Sequence, residues 1–284
     1  MRATISFIRS LAAVVFLFAL VPPAALIAFP WTFIAGNANF LYAVGMGFSH
    51  WAVRIAGVKI KMKGMDQFDP AGTYIFMSNH VSNLDPPVLI PMVPRRTSVL
   101  AKRELWKIPV LSKALDLADI VPVERNKRES AIESIRRAGE VMKHGINMTI
   151  YPEGTRSRDG RLLPFKKGPF HLAAETGFPI VPITILGTED MMPKGRFAVR
   201  PGTATLVFHA PVDPKKFKSR EELMQAVHDA INSSLPPERQ TSSSGPSDRQ
   251  AADRQSADRQ SANLQSPGKD PDAATAEESL PDQL

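Results

Sequence analysis

The sequence predicts an α/β fold: a mixed β-sheet flanked by helices, preceded by an N-terminal apolar helical region. Three observations carry this. Short β-rich apolar runs at about 73–77, 97–101, 120–123, 148–151, 180–186 and 203–209 alternate with stretches of helical periodicity. From Ser10 to Val53 there is no Asp, Glu, Lys or Arg. After Asn232 the composition turns to Ser, Ala, Gln and Pro, with Asp-Arg-Gln recurring at 248–250, 253–255 and 258–260. The expected organisation is an apolar membrane-anchoring region over 1–53, an α/β domain over 54–232 and a disordered polar tail over 233–284.

Within the front region, Leu11–Val21 is apolar, Pro22-Pro23 interrupts, Ala24–Phe29 is apolar again and Pro30 precedes Trp31–Ala35. A clean single span wants about 20 apolar residues without such breaks. A cleaved signal peptide, a single span and a kinked helical hairpin dipping into one leaflet all fit the apolar run. No clear small-x-small site follows the core, against a signal peptide. Arg2 and Arg9 precede the run, and Arg54, Lys59, Lys61 and Lys63 follow it. Basic residues stay cytoplasmic, so basic flanks at both ends favour the hairpin. The chain is expected on the cytoplasmic membrane, attached through about residues 5–53, its chemistry facing the cytoplasm.

Residues 54–72 alternate apolar and basic through Val58, Ile60 and Met62, the pattern of a half-buried edge strand. Its lysines suit anionic lipid, or an edge that discourages aggregation. The strand at 73–77 runs into Asn79-His80-Val81-Ser82-Asn83-Leu84-Asp85-Pro86, where Asp85 and the following prolines read as a helix start. A short helix over Pro87–Met92 follows, then Lys102–Leu117, a helix interrupted at Pro109, with Trp106 as core residue or channel wall. Asn126 with Glu129 opens an amphipathic helix that ends at Gly145. Phe170–Thr176, ended by Gly177, and a last helix capped by Ser219 complete the domain.

His80 sits just past a strand end, where α/β folds place their chemistry. His80 and Asp85 are five residues apart, which on a helix leaves them about 140° apart. They meet only across a looped turn. There a carboxylate accepts from one imidazole nitrogen, and the other nitrogen is left to take a proton from a hydroxyl. After the 148–151 strand comes Pro152-Glu153-Gly154-Thr155-Arg156-Ser157. Gly154 permits close backbone approach, and Arg156 offers a planar fork for phosphate. An internal Glu–Arg pair stabilising the loop is the alternative.

The His80-x4-Asp85 spacing, Arg125 after an apolar strand, the Pro152–Ser157 block and Val181-Pro182-Ile183, in this order, resemble the glycerolipid acyltransferases, specifically the 1-acyl-glycerol-3-phosphate acyltransferases. The resemblance covers about residues 60–210. It departs at Val123-Glu124-Arg125, where many members carry Asp-Arg. It implies a glycerol-3-phosphate acyltransferase-like fold. It further implies acyl transfer from a thioester to the 2-hydroxyl of lysophosphatidate, with His80 as general base, Asp85 as its orienting partner, and glycerol-phosphate recognition by Glu153, Gly154, Thr155 and Arg156. Arg125 is a second phosphate candidate. The acyl donor is a substrate, coenzyme A or acyl carrier protein thioester, and no cofactor is expected. Other lysolipid acceptors, and a non-catalytic lipid-binding protein of the same fold, are the rival readings.

Composition bounds the rest. The absence of cysteine excludes disulfides, thiolate chemistry and cysteine metal sites, and no metal-ligand cluster is visible. Residues 233–284 hold 5 Lys/Arg against 9 Asp/Glu, leaving 30 against 19 in the remainder. A basic body suits phosphates, anionic head groups or an acidic carrier. No zinc-finger spacing or recognition helix points to nucleic acid. Val81-Ser82-Asn83 lacks the glycines of a nucleophile elbow, which leaves an acylated Ser82 as a minor alternative.

Overall fold

The structure, a computed structural model, describes residues 2–124, 128–193, 195–196 and 198–241. Helix α1 (Arg2–Ala35) and helix α2 (Asn39–Ile55) pair as an antiparallel hairpin, with Gly36 in the left-handed region at the turn. Edge contacts of Phe16 with Phe48 (5.7 Å) and Trp31 with Phe40 (6.3 Å) run along its length. Pro22, Pro23 and Pro30 lie inside α1 without ending it, contrary to the interruption expected from them. Each removes one N–H from the ladder. A helix of 34 residues, otherwise almost uniformly apolar, absorbs three such losses.

The remaining elements are β1 (Val58–Lys63), β2 (Ile75–Ser78), α3 (Asp85–Leu89), β3 (Thr97–Lys102), α4 (Pro109–Leu117), β4 (Val121–Val123), α5 (Arg128–Lys143), β5 (Asn147–Ile150), α6 (Lys167–Thr176), β6 (Ile180–Leu186), α7 (Thr188–Met191), β7 (Gly202–Phe208) and α8 (Arg220–Ser233). The strand positions agree with the sequence reading to within two residues. Residues 103–107 form a 3₁₀ turn rather than the start of the α4 helix, so Pro109 begins a helix where the sequence suggested it interrupts one. Trp106 is half-buried, its indole donating to Asp116. Helix α7 went unforeseen because four residues carry no periodicity. Asn126 lies outside the described residues.

The seven strands are ordered β1-β7-β6-β2-β5-β3-β4. β2, β3, β4, β5 and β6 run parallel, and β7 is antiparallel to β6 and parallel to β1, so the sheet is mixed. Alternation along the strands splits the core in two. Phe76, Val181, Ile183, Leu206 and Phe208 face α2 and α3, whereas Ile75, Met77, Met148, Ile150 and Ile180 face α5, α6 and α8. Every residue of β2 and β5 is buried, as befits central parallel strands covered on both sides. The carboxyl ends of five strands therefore open on one rim.

The hairpin lies along this body. Near its start the Val199 N–H donates to Ser10 Oγ (2.8 Å), and near its turn the Thr97 N–H donates to Tyr42 Oη (3.2 Å). Among the described residues one helix, Thr4–Ala35, is long and apolar enough to cross a membrane. At the other end, order extends past the compositional boundary at 232. Leu235 is buried, and Asn232 exchanges hydrogen bonds with Thr241. The Asp-Arg-Gln repeats lie outside the described residues.

Candidate active site

The strand register puts two loops at one height. β2 pairs with β5 as Met77 with Ile150, an offset of 73 residues. Three residues further on, the same offset joins His80 to Glu153, whose Oε1 accepts from the His80 N–H at 2.7 Å. On the other side the Ser157 N–H donates to the His80 carbonyl (2.8 Å). The loop after β5 thus grips both faces of the His80 peptide.

Residues 79–84 form the looped turn that the five-residue spacing required. His80 Nδ1 donates to Asp85 Oδ2 at 2.8 Å, and the same oxygen accepts from the backbone N–H groups of Val81 (2.7 Å) and Ser82 (2.8 Å). Asp85 is the first residue of α3, yet its carboxylate turns back onto the preceding loop and does not cap the helix; this corrects the sequence reading. The reason is geometric: three donors converge on it from 80–82, and Pro86 brings no N–H of its own. Asp85 Oδ1 accepts from the Thr188 hydroxyl (2.6 Å). Four donors and complete burial hold the carboxylate in place.

The other imidazole nitrogen, Nε2, has no hydrogen-bond partner among the described residues, and the ring lines a cavity of about 450 Å³. Val99, Leu100, Ile135, Ala138, Ile150 and Leu172 give it apolar walls, and Gly154 and Lys166 also line it. The imidazole is thus held from behind at one nitrogen and lines an apolar chamber.

Comparison with known proteins fits this geometry. Residues 59–186 match the family model described as Acyltransferase. The 1-acyl-sn-glycerol-3-phosphate acyltransferase of Limnanthes douglasii is 34% identical over 210 residues, covering 73% of each chain. The chain belongs to the glycerolipid acyltransferase family. The alpha form of that enzyme from Bos taurus is 30% identical over 180 residues, covering 63% of this chain and 62% of its own. The crystal structure of the 1-acyl-sn-glycerophosphate (LPA) acyltransferase PlsC from Thermotoga maritima superposes with a TM-score of 0.65 at 28% identity. It covers 90% of this chain and 98% of that one.

In this acyltransferase the remaining sequence candidates fall differently. Glu153 was expected to touch substrate, and the structure corrects that. It is 2% exposed, and its second oxygen accepts from the Leu163 N–H (2.9 Å), so the carboxyl is buried with both oxygens bonded to backbone. Burial pushes its carboxyl up to about 8, outweighing the two backbone donors. Gly154 adopts φ +70, a backbone conformation that favours glycine, beside the Lys166 side chain. Thr155 is exposed and Arg156 half-buried on the same loop. Arg125 lies outside the described residues. Ser82 is fully buried, its hydroxyl donating to the Met192 carbonyl and accepting from the Leu84 N–H, which argues against its acting as a nucleophile.

Thr188 was invisible in the sequence, being 103 residues from Asp85. Thr188→Val leaves Asp85 Oδ1 buried without a donor, at a cost of about 1–3 kcal/mol. The expected result is a lowered urea midpoint and a kcat reduced on the order of tenfold, with Thr188→Ser near wild type in both.

Proposed function

We propose that this acyltransferase moves a fatty acyl group from a thioester to the 2-hydroxyl of 1-acyl-glycerol-3-phosphate, giving phosphatidate. The observation that carries it is the His80–Asp85 pair, with the imidazole lining an apolar cavity. The acceptor oxygen attacks the thioester carbonyl as His80 Nε2 takes the hydroxyl proton. Asp85 holds the imidazole and stabilises the imidazolium. The new O–C bond is complete when the tetrahedral intermediate expels the thiolate by breaking C–S, and the proton on His80 passes to that sulfur. The apolar cavity suits a hydrocarbon chain. The Val81 and Ser82 N–H groups already serve Asp85, so the oxyanion must take its donors from elsewhere.

The phosphate assignment rests on Arg156, with Thr155 and Gly154 beside it on the rim loop, and on Arg125 by resemblance. The deciding assay gives purified full-length protein an acyl thioester with lysophosphatidate or, in parallel, with the phosphate-free monoacylglycerol. Phosphatidate from the first and far slower turnover of the second is the expected result. No product from any thioester would sink the reading, and equal rates would remove the phosphate from it. Coenzyme A and acyl carrier protein thioesters are compared in the same assay, both acidic and both suited to a basic body.

Membrane attachment through the hairpin, on the cytoplasmic side, completes the proposal. Phe7, Phe18, Leu26, Ile27, Phe33 and Ile34 stand exposed along α1. At about 1.5 Å per residue α1 is about 51 Å long, more than a bilayer core needs. Ser10 in α1 and Tyr42 in α2 both contact the body, which favours a hairpin lying in one leaflet. Phe18 and Leu26, both nearly four-fifths exposed, are eight residues apart and share a face. Introducing Phe18→Asp with Leu26→Asp should cut co-sedimentation with phospholipid vesicles by more than tenfold, each charge costing about 2.5–3.5 kcal/mol in hydrocarbon. Unchanged co-sedimentation would place the lipid-facing surface elsewhere.

A further inference from the structure

Arg239 lies beyond the compositional boundary at 232, in a stretch that the sequence assigned to the polar tail. The structure folds this stretch onto the rim that carries His80. A 3₁₀ turn over Pro237–Arg239 is fixed by the Arg239 N–H donating to the Pro236 carbonyl (2.8 Å) and by Gln240 Nε2 donating to the Leu235 carbonyl (2.9 Å). From that turn the Arg239 side chain reaches two segments that flank the His80–Asp85 pair. Its guanidinium forms an ion pair with Glu189, and the two side chains are only 23% and 15% exposed. Water screens such a pair less than an exposed one. Its stem lies on the loop after β5, where a Cβ added to Gly160 would meet Arg239 Cδ at 3.1 Å and Nε at 3.2 Å.

Glu189 is the neighbour of Thr188 in α7, which is a single turn of four residues. One turn does not hold its shape alone, so its surroundings fix it. The Thr188 hydroxyl donates to Asp85 Oδ1 (2.6 Å), and the Met192 carbonyl just after α7 accepts from the Ser82 hydroxyl (2.7 Å). Both of these join α7 to the turn it supports. The Glu189 ion pair joins it instead to the C-terminal segment and, across Gly160, to the loop after β5. We propose that Arg239 is a positioning residue: its ion pair with Glu189 holds α7 where the Thr188 hydroxyl reaches Asp85, and so keeps the carboxylate aimed at His80. The inference rests on the His80–Asp85 pair acting as the acyl-transfer reading assigns.

Arg239→Met keeps a stem to lie on Gly160 and removes the charge, whereas Arg239→Lys keeps both. Full-length proteins are compared for phosphatidate formation at a temperature where circular dichroism shows each of them folded. In Arg239→Met kcat should fall roughly two- to tenfold with KM changed by less than about twofold, and Arg239→Lys should recover about half of the wild-type kcat or more. The deciding comparison uses Thr188→Val. Because Arg239 acts through Thr188, adding Arg239→Met to Thr188→Val should lower kcat by less than about twofold further. Losses that multiply would overturn the proposal, as would a rise in KM alone or an Arg239→Met kcat within about twofold of wild type. Deuterium uptake at the backbone amides of residues 188–192 reads the same contact without turnover. It should quicken in Arg239→Met and stay slow in Arg239→Lys, and equal uptake in all three proteins would sink the clamp. Wild type that shows this exchange pattern yet makes no phosphatidate would count against acyl transfer and leave the ion pair's role standing.

Discussion

His80→Ala lowers phosphatidate formation on the order of 10²–10⁴-fold, the range general-base catalysis contributes. The loss is expected mainly in kcat, because the imidazole acts on a proton in transit and its removal leaves the apolar cavity to bind the chain. Asp85→Asn separates orientation from acidity. Asparagine with its oxygen in the Oδ2 position keeps the His80 Nδ1, Val81 and Ser82 donors and turns its NH₂ to the Thr188 hydroxyl, which can accept, so what it removes is the negative charge that stabilises the imidazolium. The prediction is that Asp85→Asn approaches the His80→Ala loss while the fold survives. Phosphatidate made at wild-type rate by His80→Ala, followed by the appearance of product from labelled thioester, would remove His80 from the chemistry.

Glu153→Ala is expected to be the most destabilising change at the rim. It strands two buried N–H groups, those of His80 and Leu163, at about 1–3 kcal/mol each. Because one of them belongs to His80 itself, activity should fall with stability. The pH dependence supplies a sharper test. The carboxyl is raised to about 8 in the folded chain from the ordinary value of 4.5. Between those values the folded state holds a proton the unfolded state has released, so this group's contribution is full below about 4.5 and is lost as pH rises to about 8. The urea midpoint of the wild type should therefore decline from pH 5.5 to pH 8 by more than that of Glu153→Gln, which has no proton to lose. Parallel declines in the two proteins would show that Glu153 does not titrate in this window.

Both effects come from the grip that the loop after β5 exerts on the His80 backbone. The parallel strands bring the turn after β2 and the loop after β5 to one height, so a backbone hydrogen bond can carry position from one to the other. Rigid elements hold the imidazole, and the cavity beneath it stays open for the chain.

Much of this was legible in the residues alone. The strands announced themselves because continuous apolar runs between turn signals have few other uses in a chain of this size. Spacing required that His80 and Asp85, if they met, do so across a loop and not along a helix, and the contact itself came with the structure. The long uncharged front announced a long apolar helix, because charges avoid hydrocarbon. What tertiary structure decided was every contact between segments far apart in the chain. Local pattern offers no register between β2 and β5, so Glu153 looked like a ligand for substrate until burial and two backbone donors claimed its oxygens. Thr188 reaches Asp85 only because β6 ends beside β2. Tyr151 showed its stack only once β5 had carried it onto His80. Sequence determines which groups a strand end can present, and packing determines which of them are left open to a substrate.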